Sequence, residues 1–449
     1  MKRKFPFIAL IPFLVTSTAI ATSAQSVTPD KLVRPRTVAA AHQQPQTQTA
    51  PAVVPTQKPN DAPVVQTPAP APKGNELPAG SNPIAPVPTG VAAAKNVTPP
   101  VMLPLAPSMV MSRISEAQRL LRTRPQTTAL TTPQISFVTI AAYEPGTSRT
   151  HLITLSKQTF LTKGSELTVP SSLGIPVTVR VLRANGVNTA LTLVTADGIS
   201  LVPLTVEYPI ERNGLFKELA YYTSAHPALL SNDLTRSGQA YVRNMLDLAV
   251  KRLSDKGVAI SPALVDIAER LCIVEHTDHD RFRNENRLAL YNEIYSLYAL
   301  NELETYKYSV SVAGAGGMVQ MIPWAYNLIR QRHPGVGLIP DFVAGMRNHG
   351  NALQAMLLYM QDTWSDLSAN DDVKYALNAK IATMPELMAA GYNSNAAKLP
   401  SYIRRGGQDW RILIPRETQM YLQIYKSFES LIPLRSRTTA QPIEGAGTN

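Results

Sequence analysis

The chain has 449 residues, 44% hydrophobic and 17% charged, with a formal net charge of +11 and a single cysteine. The lone Cys272 excludes an internal disulfide, so folding rests on an ordinary hydrophobic core, and its apolar neighbours mark it as a small buried residue. A basic balance suits an anionic partner such as a cell wall or a membrane surface, whereas the lack of a concentrated Lys/Arg stripe with interleaved aromatics speaks against nucleic acid.

Met1–Ser26 opens with Lys2, Arg3 and Lys4, continues through the apolar run Phe5–Val15 and reaches the small residues Thr22, Ser23 and Ala24. This order predicts a secretory signal peptide over residues 1–24, and hence a periplasmic or secreted mature chain. The apolar run is far short of the roughly 18 residues that a spanning helix needs, and no later segment approaches that length, so no transmembrane segment is expected in the mature chain. Loss of Lys2, Arg3 and Lys4 with the signal lowers the formal charge from +11 to +8.

Residues 25–132 are a different material. No aromatic residue lies between Phe13 and Phe137, and Gln25–Ser112 holds 18 of the 37 prolines. Such a segment cannot bury enough apolar surface to offset its ordering entropy, which predicts a disordered, partly polyproline-like linker. A spacer that lets a folded domain work through a wall mesh and a tail with no function of its own both fit it. Within it, Ile114, Ala117, Leu120 and Leu121 give Ser112–Arg124 the spacing of one amphipathic helix, a candidate for docking on the next domain.

Residues 133–212 change to short alternating runs, Ser136–Tyr143, His151–Leu155, Glu166–Val169, Val177–Leu182, Thr189–Val194 and Ser200–Glu207, broken by turn signals such as Asn185-Gly186 and Asp197-Gly198. They predict a small all-β accessory domain, a sandwich or barrel, for which a wall- or partner-binding role and a structural role stand side by side. Residues 213–434 read as a mainly α-helical domain. Gly238–Lys256 is amphipathic and stops at Gly257; Ser261 and Pro262 then supply a cap and a first-turn proline. Residues 435–449 read as a disordered tail.

The helix starting at Ser261 places Leu264, Ala268, Leu271 and Glu275 on one face, with the carboxylate in line with the core. A carboxyl there is partly desolvated, which favours the protonated form that a general acid requires; a solvent-turned or ion-paired carboxylate fits the spacing equally. Further along stand Ser311-Val312-Ala313-Gly314-Ala315-Gly316-Gly317-Met318-Val319-Gln320-Met321-Ile322-Pro323, then Ala390-Gly391-Tyr392-Asn393, then Pro415-Arg416-Glu417-Thr418-Gln419-Met420-Tyr421. Glycines admit close approach of backbone and ligand or serve a tight turn, Gln320 offers the donor and acceptor that suit an N-acetyl group, and Tyr392 is a candidate to hold the carboxylate or simply a core tyrosine.

With Ile273-Val274-Glu275, these segments match, in order, the motifs of the soluble lytic transglycosylases, the goose-type-lysozyme-like family, which this chain resembles over about Leu264–Phe428. The resemblance implies a lysozyme-like helical fold and cleavage of peptidoglycan between N-acetylmuramic acid and N-acetylglucosamine. Glu275 would act first as general acid and then as base, closing the muramic 6-hydroxyl onto the anomeric carbon as a 1,6-anhydro ring. It also implies Gly317, Met318, Gln320, Tyr392 and Asn393 as substrate-binding residues, with no metal and no cofactor. The chain departs from the family pattern in having His276 where serine usually follows the glutamate, Gly391 for alanine, and Asn395 where glycine is common.

A stretch of 36 positions separates Glu275 from Ser311, longer than the family needs. Its Asn286–Tyr308 part is helical in pattern and carries Tyr291, Tyr295, Tyr298, Tyr306 and Tyr308, read as packing or as a sugar-stacking lip. Glu275, His276, Asp278, His279 and Asp280, two histidines and three carboxylates in six residues, could bind a divalent metal, but their spacing matches no standard site and a hydrated helix-end loop fits them as well. Asp278, Asp280 or Glu285 could instead be the second carboxylate of a lysozyme-type hydrolase that uses water. A non-catalytic wall-binding or envelope-assembly module on the same fold, reaching an envelope partner through the β domain, is the remaining alternative.

Overall fold

The computed structural model describes residues 105–124, 136–212, 215–223, 226–303 and 314–437. The expected signal peptide, the linker before residue 105 and residues 438–449 of the expected tail lie outside them, as do Ser311–Ala313, Tyr306 and Tyr308. Asp362–Gln423 make one compact unit; the other described residues, up to Gln361 and from Ile424 onward, make the second. Among the described residues no helix is long and apolar enough to cross a membrane.

The larger unit begins with α1 (Pro107–Thr123), which starts five residues before the expected Ser112 because Pro107 is tolerated in the first turn. A curled antiparallel sheet comes next: β1 (Phe137–Glu144), β2 (Arg149–Ser156), the single turn α2 (Lys157–Phe160), β3 (Glu166–Pro170), β4 (Pro176–Arg183), β5 (Ala190–Thr195), β6 (Ser200–Arg212) and β7 (Leu215–Tyr222). The strand order is β2-β1-β6-β5-β4-β3, with β7 paired to β6. The six expected strands are all present, but the sheet does not stop at residue 212. Leu215–Tyr222, expected to be helical, is the strand that completes it. Its Leu, Lys, Glu and Ala lean toward helix, and pairing along β6 from Val206↔Tyr222 to Arg212↔Leu215 overrides that lean.

One slip in register lets the sheet serve two cores. Ala141 pairs with Thr205 but Ala142 pairs with Pro203, so Leu204 is an extra residue on β6. A one-residue bulge moves the following side chains to the opposite face. Accordingly, Val202 and Leu204 join Ala141, Tyr143 and the α1 residues Val110, Ile114, Ala117 and Leu121 in one core. Val206, Tyr208 and Ile210 join Val138, Ile140, Val177, Val179 and Leu193 in the other, inside the curl.

The curl is fastened where β2 meets the loop after β3. The Ser172 amide donates to the Leu152 carbonyl at 2.8 Å, and the Leu152 amide donates to the Ser172 hydroxyl at 3.0 Å. Beside them the buried His151 reaches Ser171 Oγ through Nδ1 at 3.1 Å and Glu144 through Nε2 at 2.9 Å. An ionised carboxylate only accepts, so Nε2 carries a proton. That hydrogen bond holds the Glu144 carboxyl below its ordinary value; burial opposes the shift, and Thr147 and Arg149 assist it.

The helices of this unit are α3 (Asn232–Ser254), α4 (Pro262–Val274), α5 (His279–Asn284), α6 (Arg287–Leu300), α7 (Pro323–Arg332) and α8 (Phe342–Arg347). α9 (His349–Ala369) and α14 (Arg416–Leu431) have their residues divided between the two units. α3 and α6 approach so closely that a Cβ on Gly238 would lie 1.9 Å from the Tyr295 carbonyl oxygen. Gly257 ends the α3 turn at φ +78°, as its position predicts, whereas Ser261 precedes α4 without a side-chain capping bond.

α4 is buried all round, including Asp266 and Glu269. Burying two carboxylates requires partners. Arg437 Nη1 reaches Asp266 at 3.0 Å and also bonds Glu269, its backbone N–H donates to Asp266 at 2.9 Å, and Arg243 reaches Glu269 at 3.2 Å. Burial by itself would lower the Arg437 pKa, but Glu269, Asp247 and Asp266 overcome it and raise it. The first residues of the expected disordered tail are therefore an ordered clasp on α4.

The smaller unit holds α10 (Asp371–Asn378), α11 (Met384–Asn393), α12 (Leu399–Gly406) and α13 (Trp410–Leu413). Trp410 is fully buried and donates Nε1–H to the Ile381 carbonyl at 3.3 Å. Thr383 and Glu386 form a reciprocal capping box on α11, and Arg411 holds Glu386 from α13.

Candidate active site

Glu275 is the residue directly after α4, half-buried, with its amide bonded to the Leu271 carbonyl at 2.9 Å. Leu264, Ala268 and Leu271, expected on its face, are fully buried. The acid is thus presented by the end of a central helix whose every turn is fixed by packing. Its charge is felt nearby: the Cys272 thiol is pushed up by burial first, then by Glu269 and Glu275.

The glycine-rich segment forms a tight buried loop from Gly314 to Met321. Gly316 donates its N–H to the Met321 carbonyl at 3.1 Å, pinching the loop closed. Three residues in it take left-handed backbone, Gly314 at φ +71°, Gly317 at φ +70° and Gln320 at φ +46°. Gln320 lacks glycine's freedom, so such a conformation persists only where the surroundings enforce it, as they do at functional loops. Here the Gln320 side-chain amide donates to the Gly317 carbonyl at 2.9 Å and its backbone N–H to the same oxygen at 3.3 Å. Gly317 is required for space as well: a Cβ there would stand 2.3 Å from the Met346 carbonyl oxygen.

Helix end and loop are tied together. His276 Nε2 donates to the Met318 carbonyl at 2.9 Å. The Tyr298 hydroxyl, from α6, donates to the Cys272 carbonyl at 2.6 Å, with a longer contact of 3.3 Å to the same Met318 oxygen. The His276 and Tyr298 rings meet edge to face with centroids 5.8 Å apart. Burial pushes the Tyr298 hydroxyl well up, so it stays a neutral donor. Met318 is buried at its side chain, leaving its backbone as the part that faces partners; Gln320 is buried too, with one amide N–H already used.

Tyr392 and Asn393 lie in the smaller unit, at the C-terminal end of α11, and both are buried. Asn393 Oδ1 accepts from the Thr418 hydroxyl at 2.9 Å, joining the third and last of the family-like segments. Gly391 is set against Ala396, where a Cβ would come 3.0 Å from the alanine's own, so even one added methyl would require the neighbour to give by a few tenths of an ångström.

Tyr291, Tyr295 and Tyr298 are packing residues rather than an open lip: all three are buried. The polar cluster after Glu275 disperses. Asp278 caps α5 by accepting from the Asp280 and Arg281 amides, Asp280 pairs with Arg283, and His276 turns to Met318. Among the described residues no three such side chains converge as metal ligands. Sequence reasoning missed Tyr298 as a partner of the site. Its only signal was a tyrosine on an apolar helix 23 positions after Glu275, and nothing local tells that its hydroxyl reaches two carbonyls on other elements.

The chain matches no family model, no curated protein and no solved structure.

Proposed function

We propose that the protein is an exported peptidoglycan lytic transglycosylase of lysozyme-like fold. In this reading Glu275 protonates the glycosidic oxygen between N-acetylmuramic acid and N-acetylglucosamine, then takes the proton of the muramic 6-hydroxyl as that oxygen closes onto the anomeric carbon. The carrying observation is that two of the family-like segments meet: the end of the helix before Glu275 is tied through His276 to Met318 of the glycine-rich loop. The strained Gln320 supports it, since a left-handed non-glycine residue marks a loop held in shape for a purpose.

The anhydro route is favoured over hydrolysis because the carboxylates that would activate water have local duties. Asp278 caps α5, Asp280 pairs with Arg283, and Glu285 accepts from Arg281 at 2.9 Å. An inverting hydrolase needs a second carboxylate directed at a water across the sugar ring. The test is digestion of purified peptidoglycan with the wild-type chain and with Glu275→Gln, followed by mass spectrometry. The wild type yields fragments with 1,6-anhydro ends, and the variant loses at least about 100-fold in rate, the scale of one general acid–base group. Reducing ends in place of anhydro ends would move the reading to a hydrolase; intact glycan with both proteins would remove the enzyme.

A further inference from the structure

The Met318 carbonyl is where three elements meet: the residue after Glu275, the helix α6 and the glycine-rich loop. A backbone carbonyl only accepts, so His276 presents Nε2–H to it, and the single Tyr298 proton is shared between the Cys272 carbonyl at 2.6 Å and, more weakly, the Met318 carbonyl at 3.3 Å. Tyr298 thereby bridges the last turn of α4 and the loop, and His276 packs edge-on against its ring. Met318 follows Gly317, whose carbonyl holds both amides of Gln320. A shift at Met318 therefore moves the loop's strained residue with it.

We propose that His276 and Tyr298 are positioning residues that lock the Gly314–Met321 loop onto the end of α4 and so set the alignment of bound glycan with Glu275. The proposal rests on the transglycosylase reading of Glu275. It accounts for His276, the departure from the serine usual at this position, because the longer side chain spans to the loop. The Asn286–Tyr308 segment then supplies the tyrosine that completes the clamp. Neither residue transfers a proton to substrate in this scheme.

The test uses the full mature chain and two readouts. One is amide hydrogen exchange at Gly316 and Gln320 without substrate; the other is kcat and KM on soluble, uncross-linked peptidoglycan strands, well below every variant's melting midpoint. His276→Ala and Tyr298→Phe each speed exchange at both amides and lower kcat about tenfold while KM stays within about twofold, as expected for a displaced acid. The double variant is no more than about twofold worse than the poorer single variant, because both act on one link. His276→Gln, which keeps a donor at similar reach, recovers most of both losses. A purely structural role would lower the melting midpoint and leave kcat of the folded enzyme unchanged.

Unchanged exchange in both single variants, or faster exchange with unaltered kcat, overturns the positioning role while leaving the enzyme reading in place. A wild-type chain inactive on glycan removes that reading and the positioning role together. Should Tyr298→Phe fail to fold, His276→Ala against His276→Gln decides.

Discussion

Gly314 and Gly317 have almost the same positive φ in one loop, yet their surroundings differ, and that separates two costs usually confounded. A Cβ on Gly314 would meet only Pro323 at 3.7 Å, whereas on Gly317 it would strike the Met346 carbonyl. Gly314→Ala should lose roughly 1–2 kcal/mol, the penalty of left-handed backbone alone. Gly317→Ala should lose about 3 kcal/mol or more, because overpacking adds to that strain. Urea unfolding of the two variants checks the difference; equal losses would mean that the loop relaxes away from Met346. Arg437 is a second informative position. Arg437→Met leaves Asp266 buried without its guanidinium partner and should destabilise the chain by about 3 kcal/mol, as breaking a buried pair does. Because Arg243 still holds Glu269, the additional variant Arg243→Met should cost more in that background than alone.

Among the elements, β2 and the β3–β4 loop are joined by a contact that senses acid. Glu144 has its folded-state pKa depressed, so its stabilising contribution is complete above the unfolded value of about 4.3 and is lost as pH falls through the lower folded value. The melting midpoint should therefore drop as pH is taken from roughly 5 toward 3. Glu144→Gln should melt lower at neutral pH and show a shallower decline over the same window. A decline as steep as that of the wild type would place the acid sensitivity elsewhere. Element positions were readable where one periodicity ruled: six strands, the α1 stripe and the apolar face of α4 all follow from spacing. Leu215–Tyr222 was not readable, because its composition suits a helix and only its partner strand decides. The Leu204 bulge was equally hidden, since it is defined by the register of β1 against β6 and not by any residue type.

At the scale of the whole chain, the candidate site was legible in its residues but not in its mechanics. The motifs singled out Glu275, Gly317, Met318, Gln320, Tyr392 and Asn393, and the structure brings helix end and loop together in the larger unit. That Met318 would act through its carbonyl and that His276 would turn to it rather than to the carboxylates beside it depend on contacts 20 to 42 residues apart in sequence. Such contacts carry no local pattern. The sheet runs past the expected boundary at residue 212, to Tyr222, for a related reason. Composition changes there, but the polypeptide continues one sheet and the apolar surface continues one core, in which α1, β1, β6, α3 and α6 all take part.

The docking of α1 has a mechanical consequence. The chain preceding Leu105 joins the described structure at this helix, which is set by Val110, Ile114, Ala117 and Leu121 against the sheet and against Leu234, Ala299 and Leu300, with Arg124 fastened to the buried Glu207. Tension on the N-terminal segment is thus applied in shear across a helix seated on strands and helices at once, not to the end of a strand that peels open one hydrogen bond at a time. A load on that segment would bear on the core that α1 shares with β1, β6, α3 and α6.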